Sequence, residues 1–300
     1  MTAAAALLLA WAIDLRCGEP RDAWHPVAWF GRLWQPVGRR LRGWPPRRAF
    51  VGGALAWTVA VGSVAALGWA VQTLLLRDAP AWLAVVPLAL ALKPSFAWRM
   101  LRDEVRAVGL AHARGADAAR ARLQRLVSRD VARLDDAQIT ETAIETLAEN
   151  LNDALIAPLF WYALAGLPGA AAYRAANTLD AMWGYRGAWE WAGKWSARAD
   201  DALSWLPARI SAALILLAAP ARLRRLAPIA RVTPSPNGGW PMGAMALRLG
   251  VRLRKPGVYA LNAQAPSPGP QDLERALRIA GRAAGSAVVL AALACWAIGR

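Results

Sequence analysis

In the stretch ETAIETLAENLND, residues 141 to 153, Glu141, Glu145 and Glu149 recur every four residues, and Asn150, Asn152 and Asp153 follow within a turn. At helical spacing the three carboxylates stack along one face. On a solvated helix such like-charge pairs cost only about 0.2–0.5 kcal/mol each, so an exposed acidic face is the plain alternative. Against it stands the uncharged run from Ala154 to Tyr173 that follows at once, where ionised carboxylates are hard to keep. Six oxygen-bearing side chains gathered at such an edge suit a hard cation such as Mg2+, or the ammonium group of a substrate.

A second group follows. Tyr173, Asn177, Asp180 and Gly184 fall on one helical face, which then carries a phenol, an amide and a carboxylate beside a residue without a side chain. An interhelical polar network would use the same residues. Further on, Lys194, Arg198, Asp200 and Asp201 offer cations and carboxylates for a phosphate–metal site, although Arg198 and the aspartates could equally pair with each other. Gly187 to Lys194 is not a phosphate-binding loop: five residues separate its glycines, Trp195 stands where a hydroxyl is needed, and no strand precedes it. SPNGG, residues 235 to 239, is a turn by composition whose Gly238 and Gly239 could offer successive N–H groups to an anion. Asp14, Glu19 and His25 share a loop shaped by glycine and proline; a lone histidine there is more often structural than catalytic.

The elements that must position these groups are helical and apolar. Of the 300 residues 57% are hydrophobic, too many for an ordinary soluble domain. Ala49 to Leu76 holds no charge over 28 positions, enough to cross a hydrocarbon core. Ala154 to Tyr173, Ala283 to Gly299 and Ala79 to Leu92 are shorter runs of 20, 17 and 14 uncharged residues, and Lys93 could snorkel from the end of the last. The reading is an all-α, polytopic integral membrane protein forming one membrane-embedded domain over residues 1–300. It has about four to five membrane-embedded helices, near 49–76, 79–98, 154–173, 203–220 and 283–299, with amphipathic cytoplasmic helices between them. Met1 to Ile13 lacks a basic start and runs into Asp14, so it reads as a retained helix, not a signal peptide. Asp135 with Gln138 forms a capping-box-like start, and Ile139, Ala143, Leu147 and Leu151 make a stripe roughly opposite the glutamates. No alternating segment competes as a strand, and no internal repeat is visible.

The net charge of +16 is placed in blocks. Eight arginines lie between Arg16 and Arg48, nine between Arg99 and Arg133, and eleven Lys or Arg between Arg222 and Arg282. The positive-inside rule makes 16–48, 93–152 and 221–282 cytoplasmic. Because the basic residues flank apolar spans instead of covering one soluble face, nucleic acid is not the partner. Two histidines and two cysteines leave no zinc constellation and no evident disulfide. Most of the 17 tryptophans suit interfacial belts.

Taken in order, the motifs are specific. Asp14, Gly18, Pro20 and His25-Pro26-Val27 lead to Arg129-Asp130 and to Glu145, Glu149-Asn150, Asp153 and Pro158. Asn177-Thr178-Leu179-Asp180-Ala181-Met182, Gly184-Tyr185, Ala197-Arg198 with Asp200-Asp201, Pro207-Ala208-Arg209 and Ser235-Pro236-Asn237 follow. The series resembles the CobD/CbiB family, the adenosylcobinamide-phosphate synthases of cobalamin biosynthesis, from about residue 8 to 262 and on into the terminal apolar helix. Ser204 and Met242 depart from the family pattern, as does Glu19 where the family commonly has Asp.

The resemblance implies an integral membrane enzyme of the bacterial cytoplasmic (inner) membrane. It would join an amino-alcohol phosphate, aminopropanol or ethanolamine phosphate, to the propionate carboxyl of adenosylcobyric acid, with ATP consumed and Mg2+ required. On that reading Glu149, Asp153, Asp200 and Asp201 hold metal, with Asp180 a further catalytic carboxylate and Glu145 the base that accepts the ammonium proton. Lys194, Arg198 and Arg209 meet phosphates, and Asn150, Tyr173, Asn177, Ser235, Asn237 and His25 contact substrate. ATP and corrinoid are cytoplasmic, so 173–202 must face that side and Ala154 to Ala172 enters the membrane without a simple crossing. A transporter also places carboxylates and broken helices in a membrane, but would carry internal inverted symmetry. A scaffold for other corrinoid-pathway enzymes, or a homo-oligomer, is compatible with synthase activity.

Overall fold

The computed structural model describes every residue except Asp78, Ala79 and Arg300, and of Ala81 the backbone alone. The expected segment 79–98 therefore begins, at Ala79, outside the described residues. The chain is all-α. Its helices are α1 (Thr2–Cys17), α2 (Pro26–Leu41), α3 (Pro46–Arg77), α4 (Ala81–Leu92), α5 (Trp98–His112), α6 (Ala116–Leu123) and α7 (Asp136–Leu151). Then come α8 (Ala157–Ala165), α9 (Leu167–Trp183), α10 (Lys194–Ile215), α11 (Leu226–Ala230), α12 (Gly239–Leu249) and α13 (Pro270–Ala297). One departure is a small antiparallel hairpin, β1 (Leu253–Lys255) and β2 (Tyr259–Leu261), with Lys255 opposite Tyr259. Three-residue strands are too short to show alternation.

Among the described residues two helices, α3 and α13, are long and apolar enough to cross a membrane, and the helix pair Trp82–Ser95 and Trp98–His112 qualifies only together, as a broken span or a re-entrant loop. In α3 the outward Val51, Leu55, Val59, Leu67, Trp69 and Leu74 are exposed, a surface that water would penalise and lipid would not. The expected spans 154–173 and 203–220 do not form long apolar helices of that kind. The first is broken at Gly166, whose φ of 72° ends α8. A side chain there would meet the Gln72 amide, Oε1 of which accepts the Leu167 N–H at 2.7 Å to start α9. The second begins inside α10, which carries Pro207 and the charged residues before it, and runs past the end of that helix at Ile215. Lys93 does not snorkel: it is 6% exposed and paired with Asp14 Oδ1 at 3.1 Å and with Glu19.

The chain divides into two compact units, Met1–Ala97 with Ala157–Ser204 and Val288–Arg300, and Trp98–Ile156 with Trp205–Ala287. In the first, α3 packs on α9 through Ala60, Val61, Ala175, Ala176, Leu179 and Trp183, the alanines letting the two backbones approach beside the larger Leu179 and Trp183. In the second, α7 packs against α5, α12 and β1. Its start is a complete capping box: Asp135 Oδ1 accepts the Gln138 N–H at 2.7 Å, and Gln138 Oε1 accepts the Asp135 N–H at 2.9 Å. Ile139, Ala143, Leu147 and Leu151 are fully buried, as their spacing predicts. Beyond Leu151 the hydrogen bonding widens to a π turn over Asn152–Ile156, a feature that recurs at functional sites.

Candidate active site

The glutamates of α7 do not form a solvated face. Glu141 is fully buried and Glu145 is 4% exposed, whereas Glu149 opens to solvent. Each buried one has its own cation. Glu141 Oε2 accepts from Arg254 Nε at 3.1 Å, and Arg252 Nε stands 3.7 Å from Oε1, so the hairpin is latched onto α7. Glu145 Oε2 accepts from Arg129 Nη2 at 3.2 Å, and the same guanidinium donates to Thr142 Oγ1 at 2.7 Å. The other oxygen, Glu145 Oε1, is buried without a well-formed hydrogen bond, but the Tyr259 hydroxyl interacts with this carboxylate and helps to hold its charge.

Burial raises the carboxyls of Glu141 and Glu145, with the arginines pulling each back in part. Glu149 is pushed up to about 7. The first cause is desolvation by the protein packed densely around it, exposed tip notwithstanding; the like charges of Asp153 and Glu145 come next, and Lys255 and Arg129 oppose them. Tyr259 of β2 faces Glu145 and Glu149; its hydroxyl reaches Met242 Sδ at 3.7 Å, and burial followed by the two carboxylates holds it protonated well above the ordinary phenol range. The SPNGG turn closes one side: a side chain on Gly238 would lie 2.9 Å from Glu149 Oε1.

Other expected residues of this unit are committed within the protein. Asn150 donates its amide to Thr146 O at 3.0 Å on its own helix. Asn152 donates to Asp153 Oδ1 at 2.8 Å and accepts from Ser211 at 2.9 Å, which fixes the π turn. Gly238 and Gly239 do not form an anion nest. The N–H groups of Asn237 and Gly238 go to Ser235 Oγ at 3.2 and 3.1 Å, making Ser235 a cap for the turn before α12, and Gly239 sits against Ala230 O. Arg209 donates to Trp205 O at 2.6 Å, Asn237 Oδ1 at 2.9 Å and Pro236 O at 3.3 Å. Its guanidinium lies 4.2 Å from the Trp205 ring centre and 4.6 Å from that of Trp240.

In the first unit Tyr173 and Ser204 share a buried hydrogen bond at 2.9 Å, and Asn177 donates to Asp200 Oδ1 at 3.3 Å. The Asp180 carboxylate folds against Gly184, where a side chain would stand 2.0 Å from Oδ1. The space beside a glycine that the spacing predicts is therefore used. Asp201 is half-buried, which raises its carboxyl. Arg198 is exposed, and Lys194 pairs with Glu190 at 3.3 Å and lies 4.3 Å from the Trp191 ring centre. His25 is not placed as a substrate contact: Nδ1 accepts the Val27 N–H at 3.1 Å as the cap of α2, and Nε2 pairs with Glu19 at 2.7 Å. Burial alone would raise Glu19, but His25 and Lys93 outweigh it and hold its carboxyl below the ordinary value.

Among the described residues no three His, Cys, Asp or Glu are already gathered as a metal cage. Glu149 and Asp153 still fit magnesium's manner of binding, one or two carboxylates with substrate phosphates and water completing the octahedron. Tyr259, Lys255, Arg252 and Arg254 had no signal in local spacing, because the hairpin brings them to α7 from about a hundred residues away; Arg129 stood out only within the ordered motif series.

Comparison with known proteins agrees over nearly the full length. The family described as CobD/Cbib protein matches residues 7–280. The cobalamin biosynthesis protein CobD of Rhodobacter capsulatus is 39% identical over 99% of this chain and 100% of its own. The probable cobalamin biosynthesis protein CobD of Thermococcus kodakarensis is 40% identical over 93% of this chain and 91% of its own. No solved structure matches.

Proposed function

The chain belongs to the CobD/CbiB family of cobalamin biosynthesis, and from that premise we propose that it is an ATP-dependent acid–amine ligase. Its reaction joins aminopropanol phosphate or ethanolamine phosphate to the propionate carboxyl of adenosylcobyric acid, giving adenosylcobinamide phosphate. A carboxylate is a poor electrophile, so ATP must first convert it to an acyl phosphate or an equivalent before the amine attacks. The observation that carries this reading is the graded environment of α7: one carboxylate neutralised by the hairpin, one held by Arg129 with Tyr259 beside it, and one exposed.

The roles follow from those environments. Arg129 fixes Glu145 through Oε2, and the carboxylate, whose proton affinity burial raises, takes the ammonium proton as the amine attacks. Glu149 and Asp153 hold Mg2+, which when bound neutralises phosphate charge. Tyr259, kept protonated, donates to an oxygen in this recess. In the first unit Asp180, Asp200 and Asp201, with Lys194 and Arg198, offer carboxylates and cations to the amino-alcohol phosphate. The chain is a multi-pass membrane protein; we place it in the bacterial inner membrane with its site toward the cytoplasm, where ATP and corrinoid are found.

The test is direct. Purified protein with adenosylcobyric acid, Mg-ATP and either amino-alcohol phosphate is assayed by mass for the amide product. Product with one amine and not the other names the substrate; no product with either ends the reading. Labelling of a cysteine introduced at position 190 from the periplasm alone would reverse the orientation.

A further inference from the structure

Nothing in the sequence supplies a nucleotide-binding loop, yet the second unit holds a cleft of about 700 Å3 with the chemistry of one. Trp205, Arg209, Arg231, Ser235, Pro236 and Trp240 are among the residues that line it. The Trp205 and Trp240 rings both lie against the Arg209 guanidinium, and its three hydrogen bonds to the protein fix it in place while using only three of its five N–H groups. Arg231 is an exposed second cation on the same wall. No Asp or Glu is among the described residues that line the cleft.

We infer that this cleft binds the nucleotide of the ligase reaction, its base on the indole wall and its phosphates on Arg231 and Arg209. The assignment rests on the ligase reading and deepens it. Flat apolar rings beside fixed cations suit a ligand that is planar at one end and polyanionic at the other. An amino-alcohol phosphate fits less well: it is far smaller than the cleft, and its ammonium group would find no carboxylate there. The SPNGG turn ties the cleft to the chemistry. Ser235 and Pro236 line the cleft, while Gly238, two residues on, lies against Glu149. Phosphates leaving the cleft along that turn therefore reach the carboxylates proposed to hold magnesium.

An anionic lipid headgroup offers the same phosphate to a Trp- and Arg-lined surface, so the experiment separates the two sources. The protein in phosphatidylcholine nanodiscs is photolabelled with 8-azido-ATP and the labelled peptides are mapped, with ATP or added phosphatidylglycerol as competitor. Labelling of the 205–240 region, blocked by ATP and indifferent to the anionic lipid, is expected. Label displaced by phosphatidylglycerol and not by ATP would hand the cleft to lipid and overturn the proposal. In the amide-forming assay Trp240→Leu should raise KM for ATP at least roughly tenfold and Arg231→Gln severalfold, with KM for the amino-alcohol phosphate moved less than about twofold. An active wild type whose ATP KM is unmoved by both substitutions sinks the cleft alone. A wild type that is labelled and ATP-protected yet forms no amide sinks the ligase reading and leaves the cleft standing.

Discussion

Arg129 Nη2 stands 3.2 Å from Glu145 Oε2, and this pair keeps a nearly inaccessible carboxylate in place on a helix whose neighbouring glutamates have other partners. Replacing Arg129 by Gln removes the cation and leaves the anion. Breaking a buried pair from one side costs about 3–5 kcal/mol, and the lower end applies because Arg129 is itself 24% exposed. Thermal unfolding in detergent should register the loss. Arg129→Gln with Glu145→Gln should recover part of it, and a double variant no better than the single would show that the two do not couple.

Glu149 sets a pH limb. With its carboxyl at about 7, the ionised form that could hold a cation gains population as pH rises through neutrality. The activity proposed above should climb over the same range, and added magnesium should move the limb to lower pH by favouring the anion. Stability runs the other way. A carboxyl raised in the folded state contributes stability that is fully present below its unfolded value near 4.5 and is lost as pH rises through 7. Glu149→Gln should remove that slope from detergent unfolding measured between pH 5 and 8; an unchanged slope would assign the titration to another group.

Gly238→Ala tests position without removing any functional group. The φ of −55° at this residue suits alanine, so the backbone is not strained, but the new methyl would stand 2.9 Å from Glu149 Oε1. Activity should fall about 10- to 100-fold while the melting temperature stays close to that of the parent. A large drop in melting temperature instead would mean that the turn, not the carboxylate, yields.

Lys93 is the keystone of the first unit's buried charges. Lys93→Met removes the cation that Asp14 and Glu19 share, with Glu19 keeping its bond to His25, at a cost of about 3 kcal/mol, and should appear as lost yield and a lowered melting temperature. Combining it with Asp14→Asn and Glu19→Gln should restore much of the loss, since the damage lies in the charges left behind.

Local signals in the chain were read correctly where neighbours in sequence are neighbours in space. The capping box at Asp135, the buried stripe through Ile139 and Leu151, the long uncharged run of α3 and the space beside Gly184 are all set within a few residues of one another. The acidic column was legible as a column and not as three different environments. Its cover comes from Arg254, which is 113 residues from Glu141, and from Arg129, 16 residues from Glu145. His25 and Ser235 show a related limit: a polar side chain suited to a substrate is equally suited to capping a helix, as His25 does, or a turn, as Ser235 does, and composition does not separate the uses.

The length of α3 has a consequence for any measurement on this protein. At 1.5 Å per residue its 32 residues extend about 48 Å, against a hydrocarbon layer of about 30 Å. The surplus must be taken up by inclination of the helix, by emergence of its ends among the headgroups, or by a locally thickened bilayer. Acyl-chain length is thus an experimental variable on a par with pH, and preparations in short-chain and long-chain lipids should differ in stability even where every polar interaction is the same.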